Sequence, residues 1–545
     1  PPAMPNLHDA RPNAWLRSAA AMSTWASKGP LLCVCLAAMS LCTVVAAPGS
    51  FEALDREGVA FADDGRQSPA GLCLLQDAKA RGIRANLWPH RGPVTCDAAG
   101  SASFTSAMGR QAPYWRNKNG DAAATGASRF STGVNVSNGP SWSFKDETKD
   151  VVLAHPVIDA DKGIYLMHRN GMLRKFSPEG RTVWANRDFY GGQDRQSLVG
   201  GPVIMDGALF VTDLLGNAIA VDAASGATRW TTRIGASCSK DAPSLAGLAG
   251  TVLAMVRSRN FTVVPDNGGQ DVVVAMDARD GHVLWRRKLP GGQWVENTLM
   301  SFADEPPSVL FANRHGVPYR WRLCDGSDVW EAPPPSPLED GEIPAFATGG
   351  LAQGPNGIAY VSSNFNSAAG EAFGRLSAYR TSTGELIWSR RLGTQVNNAP
   401  AVGRLGGPAG GLSVVIGLGN IAWYPSPELD AAGVWPDGSP ISWKTELAAY
   451  DAATGEPTGW RYVPPAHNKT GSEGDSLEPG GHSCLPDPWS NAAIDVDGTV
   501  YIGHLSGNLF GLRDVNGDGV LSEASGEVMK YYGARCYQAS PAIAE

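Results

Sequence analysis

The stretch DVNGDGVLSEASGE, residues 514–527, carries oxygen-bearing side chains at alternate positions: Asp514, Asn516 and Asp518. With the glycine that follows, they match the first half of an EF-hand loop. Carboxylate and amide oxygens are hard ligands that can surround Ca²⁺, while the glycine permits the sharp turn. The carbonyl of Val520 is the next expected ligand. The pattern therefore predicts a calcium site.

The end of this loop departs from the EF-hand pattern. Ser525 stands where an EF-hand has a bidentate glutamate, and no flanking helices are apparent. Glu523 or Glu527 could supply the missing carboxylate, and we take Glu523 as the expected ligand. The alternative is a plain Asn/Gly turn. We expect a structural calcium loop rather than a sensor.

A second group of functional candidates lies in IAWYPSPELDAAGVWPDGSPISW, residues 421–443. Four aromatic side chains are interleaved there with prolines: Trp423, Tyr424, Trp435 and Trp443. Exposed aromatic rings on a rigid loop suit a protein partner or a sugar ring. The alternative is that the rings pack on each other as a local cap.

The elements that must position these residues are repeated along the chain. An alternating apolar run leads into an Asp-x-x-Ser/Thr-Gly type of turn and then a tryptophan, as in AIAVDAASGATRW, VVVAMDARDGHVLW, RLSAYRTSTGELIW and ELAAYDAATGEPTGW. Successive copies place Trp142, Trp184, Trp230, Trp285, Trp330, Trp388 and Trp460, with Lys530 in the slot of the last copy. A period of about 40 residues with variable insertions predicts an all-β propeller of four-stranded blades.

Each part of the unit has a physical role. The alternating run is typical of a strand, and the Asp and Gly suit a tight turn. A tryptophan on the outer strand can fill the widening gap between neighbouring blades, where its burial stabilises by roughly 2–3 kcal/mol or more. We therefore interpret the repeated tryptophan as structural; a carbohydrate platform or an electron relay is the sharper alternative.

The count of outer-strand units predicts eight blades. The unit that ends at Trp142 lacks its inner strands, and the final ASPAIAE resembles an inner strand. Ring closure would let this C-terminal strand join the Trp142 segment in a shared eighth blade. The alternatives are seven blades, or a chain cut short within the last blade.

This repeat, clearest in SNAAIDVDGTVYIGHLSGNLFGL, resembles the pyrroloquinoline-quinone-type propeller repeat. That repeat occurs in quinoprotein alcohol dehydrogenases and in the propeller lipoprotein of the bacterial outer-membrane β-barrel assembly machinery. The resemblance covers about Trp115 to Ala544, and APYWRNKNGDAAATG is similar to the lead-in segment of such propellers. It implies the fold and leaves the function open, because the repeat is a scaffold.

For the dehydrogenases, the resemblance implies pyrroloquinoline quinone with a calcium ion. These enzymes usually carry two adjacent cysteines, and cytochrome fusions add C-x-x-C-H; this sequence has neither. Asn397, Asn398 and Asp487 are the candidate cofactor ligands, although lone polar residues at strand starts are usually structural. A quinone-dependent dehydrogenase is the first alternative function, and a polysaccharide-binding or -processing propeller is the second.

Other function classes find little support. The net charge of −8 and the lack of a long basic run argue against nucleic acid as a partner. No Ser-His-Asp arrangement, phosphate loop or H-E-x-x-H motif is recognisable. His467 and His482 are too few ligands to predict a metal site.

The long insertions predict which face of the propeller is functional. In a four-stranded meander, the loops after the second and fourth strands emerge on one face, which we call the insertion face. All five long loops fall there: Arg187–Gly200, Ser258–Asp271, Ser363–Arg375, Asn420–Thr445 and Pro464–Pro488. Binding sites usually lie on such loops.

The N-terminal region predicts export. A positive Lys28 precedes the apolar stretch Leu31–Val45 and the small residues Ala46 and Ala47, as in a signal peptide. A buried helix or a membrane anchor is the alternative. We expect upstream residues and a signal peptide over 1–47, and a secreted or secretory-lumen protein, with a bipartite organelle address as the alternative.

The remaining chain divides into two parts. Residues 48–114 are expected to be poorly ordered or a small cysteine-containing segment, and residues 115–545 form the propeller. The cysteines beyond the leader are Cys73, Cys96, Cys238, Cys324, Cys484 and Cys536. They permit up to three disulfides, of which Cys73–Cys96 is the nearest local pair, or they are buried thiols. Sequons for N-glycosylation stand at Asn135, Asn260 and Asn468.

Together these patterns predict a secreted, non-catalytic propeller that serves as a binding scaffold. We expect a protein or glycan partner on the insertion face, one structural Ca²⁺, no nucleic-acid partner and no stable membrane span.

Overall fold

The strands run in chain order through seven successive antiparallel sheets, each of which is one propeller blade. The computed structural model describes residues 44–45, 93–96, 113–145, 154–168, 171–186, 201–238, 244–258, 269–296, 298–334, 341–345, 347, 350–420, 425–475, 488–537 and 539–545.

The first four blades are built from short strands. Blade 1 comprises β2 (Val157–Ile158), β3 (Ile164–Met167), β4 (Leu173–Phe176) and β5 (Thr182–Asn186). Blade 2 comprises β6 (Val203–Met205), β7 (Ala208–Thr212), β8 (Asn217–Asp222) and β9 (Thr228–Arg233). Blade 3 comprises β10 (Leu245–Leu248), β11 (Thr251–Val256), β12 (Val272–Asp277) and β13 (Val283–Lys288). Blade 4 comprises β14 (Ser301–Ala303), β15 (Ser308–Ala312) and β16 (Pro318–Arg322).

The last three blades include the longest strands. Blade 5 comprises β17 (Ile343–Ala345), β18 (Leu351–Gln353), β19 (Ile358–Asn366), β20 (Ala372–Arg380) and β21 (Leu386–Arg391). Blade 6 comprises β22 (Ala401–Arg404), β23 (Leu412–Gly419), β24 (Thr445–Asp451) and β25 (Pro457–Tyr462). Blade 7 comprises β26 (Ala493–Ile494), β27 (Val500–Gly503), β28 (Asn508–Leu512) and β29 (Val528–Tyr532).

Outside the blades, β1 (Val44–Val45) pairs in parallel with β30 (Ala542–Ile543). The helix α1 (Pro427–Ala432) lies in the insertion between β23 and β24. Among the described residues, no helix is both long enough and apolar enough to span a membrane.

The hydrophobic core lies between neighbouring blades. Strand β7 shows how: Leu209 and Val211 pack towards blade 1, while Ala208 and Phe210 pack towards blade 3. Successive strand side chains point to opposite faces of a sheet, so a strand between two other blades is buried on both faces. This explains why the second strands are nearly continuous apolar runs.

The repeated tryptophans dock each blade onto the next, as predicted. The indole N–H of Trp230 donates to the carbonyl of Ala278 at 3.0 Å, and its ring lies against Gly281. The same contact recurs in the pairs Trp142–Gly180, Trp184–Gly226, Trp285–Gly326, Trp330–Gly384 and Trp388–Gly455. A Cβ on the glycine would lie within 3 Å of the ring, and the glycine has a positive φ. The turn glycine therefore serves both the turn and the tryptophan of the preceding blade.

The described residues form seven blades, where we expected eight. The segment that carries Trp142 forms no strand, although the tryptophan docks on blade 1 as the others do. Residues 131–145 and β30 instead form a wedge between blades 7 and 1, where Trp142, Val136 and Ile543 share one apolar cluster. Trp142 therefore makes the repeated contact between tryptophan and turn glycine, although it does not belong to a four-stranded sheet.

The disulfide expectation is corrected as well. Cys96 pairs with Cys324 in blade 4, across a sequence separation of 228 residues, rather than with Cys73. Cys73 and Cys484 lie outside the described residues. Cys238 is a buried free thiol, the state that the alternative predicted for most of the cysteines. The disulfide fastens residues 93–96 to the propeller.

We predict that Trp285→Ala lowers the free energy of unfolding by about 3–5 kcal/mol, because it empties the space over Gly326. The variant also removes the 2.7 Å hydrogen bond from the indole to the Leu323 carbonyl. Trp285→Phe keeps a ring in place and should cost less. Chemical denaturation measures both, and equal stability of Trp285→Ala and the parent would contradict the docking role.

Candidate functional site

The axis of the propeller is filled by the chain itself. Residues 115–128, which we call the axial plug, hydrogen-bond to the inner strand of every blade. The main-chain bonds are Ile158 N–H to Trp115, Ile204 N–H to Arg116, Phe302 N–H to Ala122, Gln353 N–H to Ala123, Val402 N–H to Thr125 and Ile494 N–H to Gly126, at 2.7–3.0 Å. Blade 3 is reached by the Arg116 guanidinium, which donates to the Gly247 carbonyl at 3.2 Å.

Two buried residues fill the plug's centre. Asn119 donates to the carbonyls of Ala124 and Pro400 and accepts from the Asn491 side chain at 3.1 Å. Ala124 packs between Leu299 of blade 4 and Ala399 of blade 6. These contacts lie just before the inner strands β14, β22 and β26, whereas the main-chain hydrogen bonds lie within the inner strands. The plug therefore runs along the inner strands.

Sequence reasoning identified this segment only as a lead-in to the propeller. The available signal was GDAAATGAS, a run of small residues that suits a crowded axis. Its partners are spread over the chain, one inner strand in each blade, so no local pattern near the segment names them.

The mouth of the channel on the insertion face holds a buried histidine. His155 packs against Gly201, and its Nε2 has no hydrogen-bond partner among the described residues. Burial and, to a smaller extent, the nearby Lys118 charge lower the pKa of His155 to about 3, against a hydrogen bond to the Pro202 backbone that raises it. The imidazole is therefore neutral at physiological pH.

Among the described residues, the centre of the channel leaves no open space for pyrroloquinoline quinone, the cofactor that the repeat implies. A flat polyanion needs open space and convergent cations, whereas Asn119 and Ala124 fill the axis. Asn397 Oδ1 accepts from Asn364 at 3.1 Å, and Asn398 Nδ2 donates to the Ser490 carbonyl at 3.3 Å. Among the described residues, the buried Asn398 Oδ1 has no hydrogen-bond partner and could accept one. The third candidate, Asp487, lies outside the described residues.

Blade 5 carries a rigid projection on the insertion face. Residues 363–375, which the sequence suggested were a loop, extend β19 and β20 into a long hairpin, and β17 pairs with its upper part. Glu342 accepts from Arg375 at 2.8 Å and from Arg391 at 3.1 Å. The Arg391 guanidinium also lies 3.8 Å from the ring centroid of Phe373. Buried ion pairs and cation–π contacts of this kind stabilise the conformation of the hairpin.

The insertion of blade 6 (described residues 425–444) and the loop after β25 (described residues 463–475) form a second projection, which we call the aromatic cap. Asp430 on α1 accepts from the Thr470 N–H at 2.6 Å and from its hydroxyl at 2.8 Å, which joins the insertion to the loop after β25. The indole N–H of Trp443 donates to the Lys469 carbonyl at 2.9 Å. Trp435 meets Trp443 edge-on, with ring centroids 5.8 Å apart.

The predicted aromatic group is thus brought together only in part. Trp435 and Trp443 are half-buried and pack on each other, as the local-cap alternative proposed, while Trp423 and Tyr424 lie outside the described residues. His467 is held in the cap by a 2.7 Å contact between its Nε2 and the Gly471 carbonyl. His482 also lies outside the described residues.

The acidic loop at residues 514–527 lies on the opposite face and joins blade 7 to blade 6. Val520 pairs with Arg461 of β25, so the last turn of blade 7 covers the outer edge of blade 6. The Asp514 carboxylate accepts from the N–H groups of Gly517 at 2.7 Å and Gly519 at 3.0 Å. Asp518 accepts from the Val520 N–H at 2.7 Å.

The carboxylate that faces this loop is Glu527 rather than Glu523. Glu523 instead forms an ion pair with Lys530 of β29 at 2.7 Å. Glu527 is buried and accepts from the N–H groups of Val515 at 3.2 Å and Ser522 at 3.3 Å. The hydrogen bond from the Ser525 hydroxyl is the main cause of its lowered pKa.

Comparison with known proteins supports a propeller. The family described as outer membrane protein assembly factor BamB matches residues 169–343 and 322–406. No curated protein matches the chain. A europium-containing methanol dehydrogenase shares the fold with a TM-score of 0.50 and 13% identity, over 77% of this chain and 85% of that one.

Two further solved structures are similar. BamB from Moraxella catarrhalis is 16% identical over 70% of this chain and 89% of its own, with a TM-score of 0.44. A quinohemoprotein alcohol dehydrogenase from Pseudomonas putida is 12% identical over 81% of this chain and 76% of its own, with a TM-score of 0.49.

We predict that Asn119→Ala destabilises the propeller by about 1–3 kcal/mol, because the buried Asn491 amide loses its acceptor. The exposed Asn138→Ala is the matched control and should be close to neutral. Urea denaturation gives both values. A loss in Asn119→Ala no larger than the control's would contradict the role of the plug.

We predict a loss of stability as the pH falls below 6.5. Burial lowers the pKa of His155 and of His504 to about 3, so both are neutral when folded. Unfolding lets each bind a proton, and the stabilisation is therefore complete above 6.5 and lost towards 3, by about 1.4 kcal/mol per pH unit per histidine. His504→Gln should flatten the measured slope. A slope in His504→Gln equal to that of the parent protein would contradict the assignment.

Proposed function

The chain carries pyrroloquinoline-quinone-type β-propeller repeats, and from this premise we propose that it is a non-catalytic binding scaffold. The observation that carries the proposal is the axial plug. Because Asn119 and Ala124 fill the channel between the inner strands, the axis serves the fold and leaves binding to the loops. A quinone-dependent dehydrogenase is the alternative that the test below separates.

We place the partner surface on the insertion face and expect a protein partner. The blade 5 hairpin and the aromatic cap rise from adjacent blades, each held by internal hydrogen bonds. Exposed apolar side chains accompany them, Ile343 on the hairpin side and Val434 in the cap. Preformed projections with apolar and aromatic surface suit protein recognition, because little ordering entropy is lost on binding.

The test has two arms that use the same purified protein. In the first, pyrroloquinoline quinone and Ca²⁺ are added and reduction of an artificial electron acceptor by alcohols is followed. We expect no turnover, and alcohol-dependent dye reduction would make the protein a dehydrogenase.

In the second arm, partners are captured by cross-linking from the extracellular fraction of the source cells. We expect Trp435→Ala to weaken capture of a defined protein. Val515→Ser, an exposed change on the opposite face, is the matched control. Equal capture by both variants would contradict the surface assignment.

The proposal also includes secretion of the protein and one structural calcium site. The leader-like stretch Leu31–Val45 supports secretion, and the oxygen atoms of Asp514, Asn516, Asp518 and the Val520 carbonyl support a calcium site. Glu527 replaces Glu523 as the proposed fifth ligand, because Glu523 is paired with Lys530. Calcium there would stiffen the turn that clamps blade 7 onto blade 6.

We predict that Ca²⁺ raises the melting temperature, since a ligand at one hundred times its Kd adds about 2.7 kcal/mol of stability. Asp518→Ala should abolish both the rise and the heat of Ca²⁺ binding in isothermal titration. Asp437→Ala removes an exposed turn carboxylate in the aromatic cap and should leave both unchanged. Calcium binding that survives Asp518→Ala would contradict the ligand set.

A further inference from the structure

The Cys96–Cys324 cross-link lies beside a carboxylate that the proposed function does not use. Residues 93–96 form a strap in which Val94 packs against the core between blades 3 and 4. Cys324 and Asp325 occupy the turn after β16, in the sequence RLCDGSDVW. The sulfur atoms of both cysteines and one oxygen of Asp325 all lie within 4.8 Å of one another.

The turn fixes the orientation of this carboxylate. Oδ1 of Asp325 accepts from the Ser327 N–H at 2.8 Å and from the Ser327 hydroxyl at 2.7 Å. Cys96 and Asp325 are exposed, while Cys324 is half-buried. The three groups are therefore open to solvent and to a small ion.

We propose that Cys96, Cys324 and Asp325 bind Zn²⁺ when the disulfide is reduced. A dithiol supplies two electrons and two protons to the Cys96–Cys324 bond and is itself oxidised to a disulfide. Zn²⁺ then displaces the two thiol protons into the buffer and binds both thiolates and the carboxylate, with water as the fourth ligand. Two thiolates with one carboxylate are a donor set that suits zinc. Hard cations such as Ca²⁺ and Mg²⁺ prefer oxygen ligands, so this site favours zinc over them.

The geometry requires only a small adjustment. Zinc–sulfur bonds of about 2.3 Å in a tetrahedral site hold two sulfur atoms farther apart than a disulfide does. Cys96 is exposed and stands in the strap, outside any strand, so its side chain has room to turn. Asp325 is already held by its own turn.

The consequence concerns the strap. Disulfide and zinc exclude each other, because the same two sulfur atoms form both. The strap would be fastened to blade 4 by a covalent bond under oxidising conditions and by a metal under reducing ones. Val94 would keep its place over the core in both states.

The test is titration of the reduced protein with Co²⁺, a spectroscopic stand-in for Zn²⁺, after the reductant is removed under nitrogen. We expect a thiolate-to-cobalt charge-transfer band that Zn²⁺ abolishes by competition, and no such band in the oxidised protein. Oxygen ligands alone give no thiolate band, so cobalt at the Asp514 loop does not interfere. Absence of the band in the reduced protein would overturn the proposal.

Variants assign the ligands. Cys324→Ser should remove the band component that belongs to this site, and Cys96→Ser tests the second sulfur independently if the first variant does not fold. Asp325→Asn should weaken Co²⁺ binding while the thiolate band persists at saturation. The matched control is Asp280→Asn, because Asp280 occupies the equivalent turn position in blade 3 and accepts from the His282 N–H at 2.9 Å. A band unchanged in both cysteine variants would overturn the proposal, as would equal weakening by Asp280→Asn.

Discussion

The hydrogen bonds between the axial plug and the inner strands are the constraint on which this structure depends. An inner strand has one edge paired within its blade and the other edge facing the axis, where buried N–H groups need acceptors. The plug supplies carbonyls to six blades and a guanidinium to the remaining one. The central part of the plug, residues 120–126, consists of small residues apart from Asp121, and with Asn119 it occupies the axis at that level.

The tryptophan contacts act at larger radius, where neighbouring blades diverge. Except for Trp460, each repeated indole covers the turn glycine of the next blade and donates to a carbonyl of the same turn, as Trp388 does to Ala452 at 3.3 Å. Trp460 packs between blades 6 and 7, but its indole nitrogen has no hydrogen-bond partner among the described residues. The plug orders the blades around the axis, and the tryptophans set the spacing of their outer strands. Between blades 7 and 1, the wedge of Trp142 and β30 closes the ring without forming a blade of its own.

The sequence was most informative where structure is local and repeated. Strand, turn and docking tryptophan recur within about 40 residues, so periodicity reveals them. Blade number was overestimated because Trp142 carries the same docking signal without a sheet. The partner of Cys96, and the plug's contacts to Pro400 and Asn491, depend on residues hundreds of positions away, and no local pattern encodes such pairings. Glu527 was ranked behind Glu523 because linear spacing does not show which way a side chain points.

Hydrogen–deuterium exchange of peptides that cover residues 115–128 tests most directly whether the axis of the propeller is filled. We expect the amides of Trp115, Gly126 and Ser128, which donate to carbonyls within the filled axis, to exchange as slowly as those of the central blade strands. Exchange at the rate of exposed loops would show that the segment does not occupy the channel. In that case the axis would be open to a cofactor and the scaffold interpretation would be contradicted.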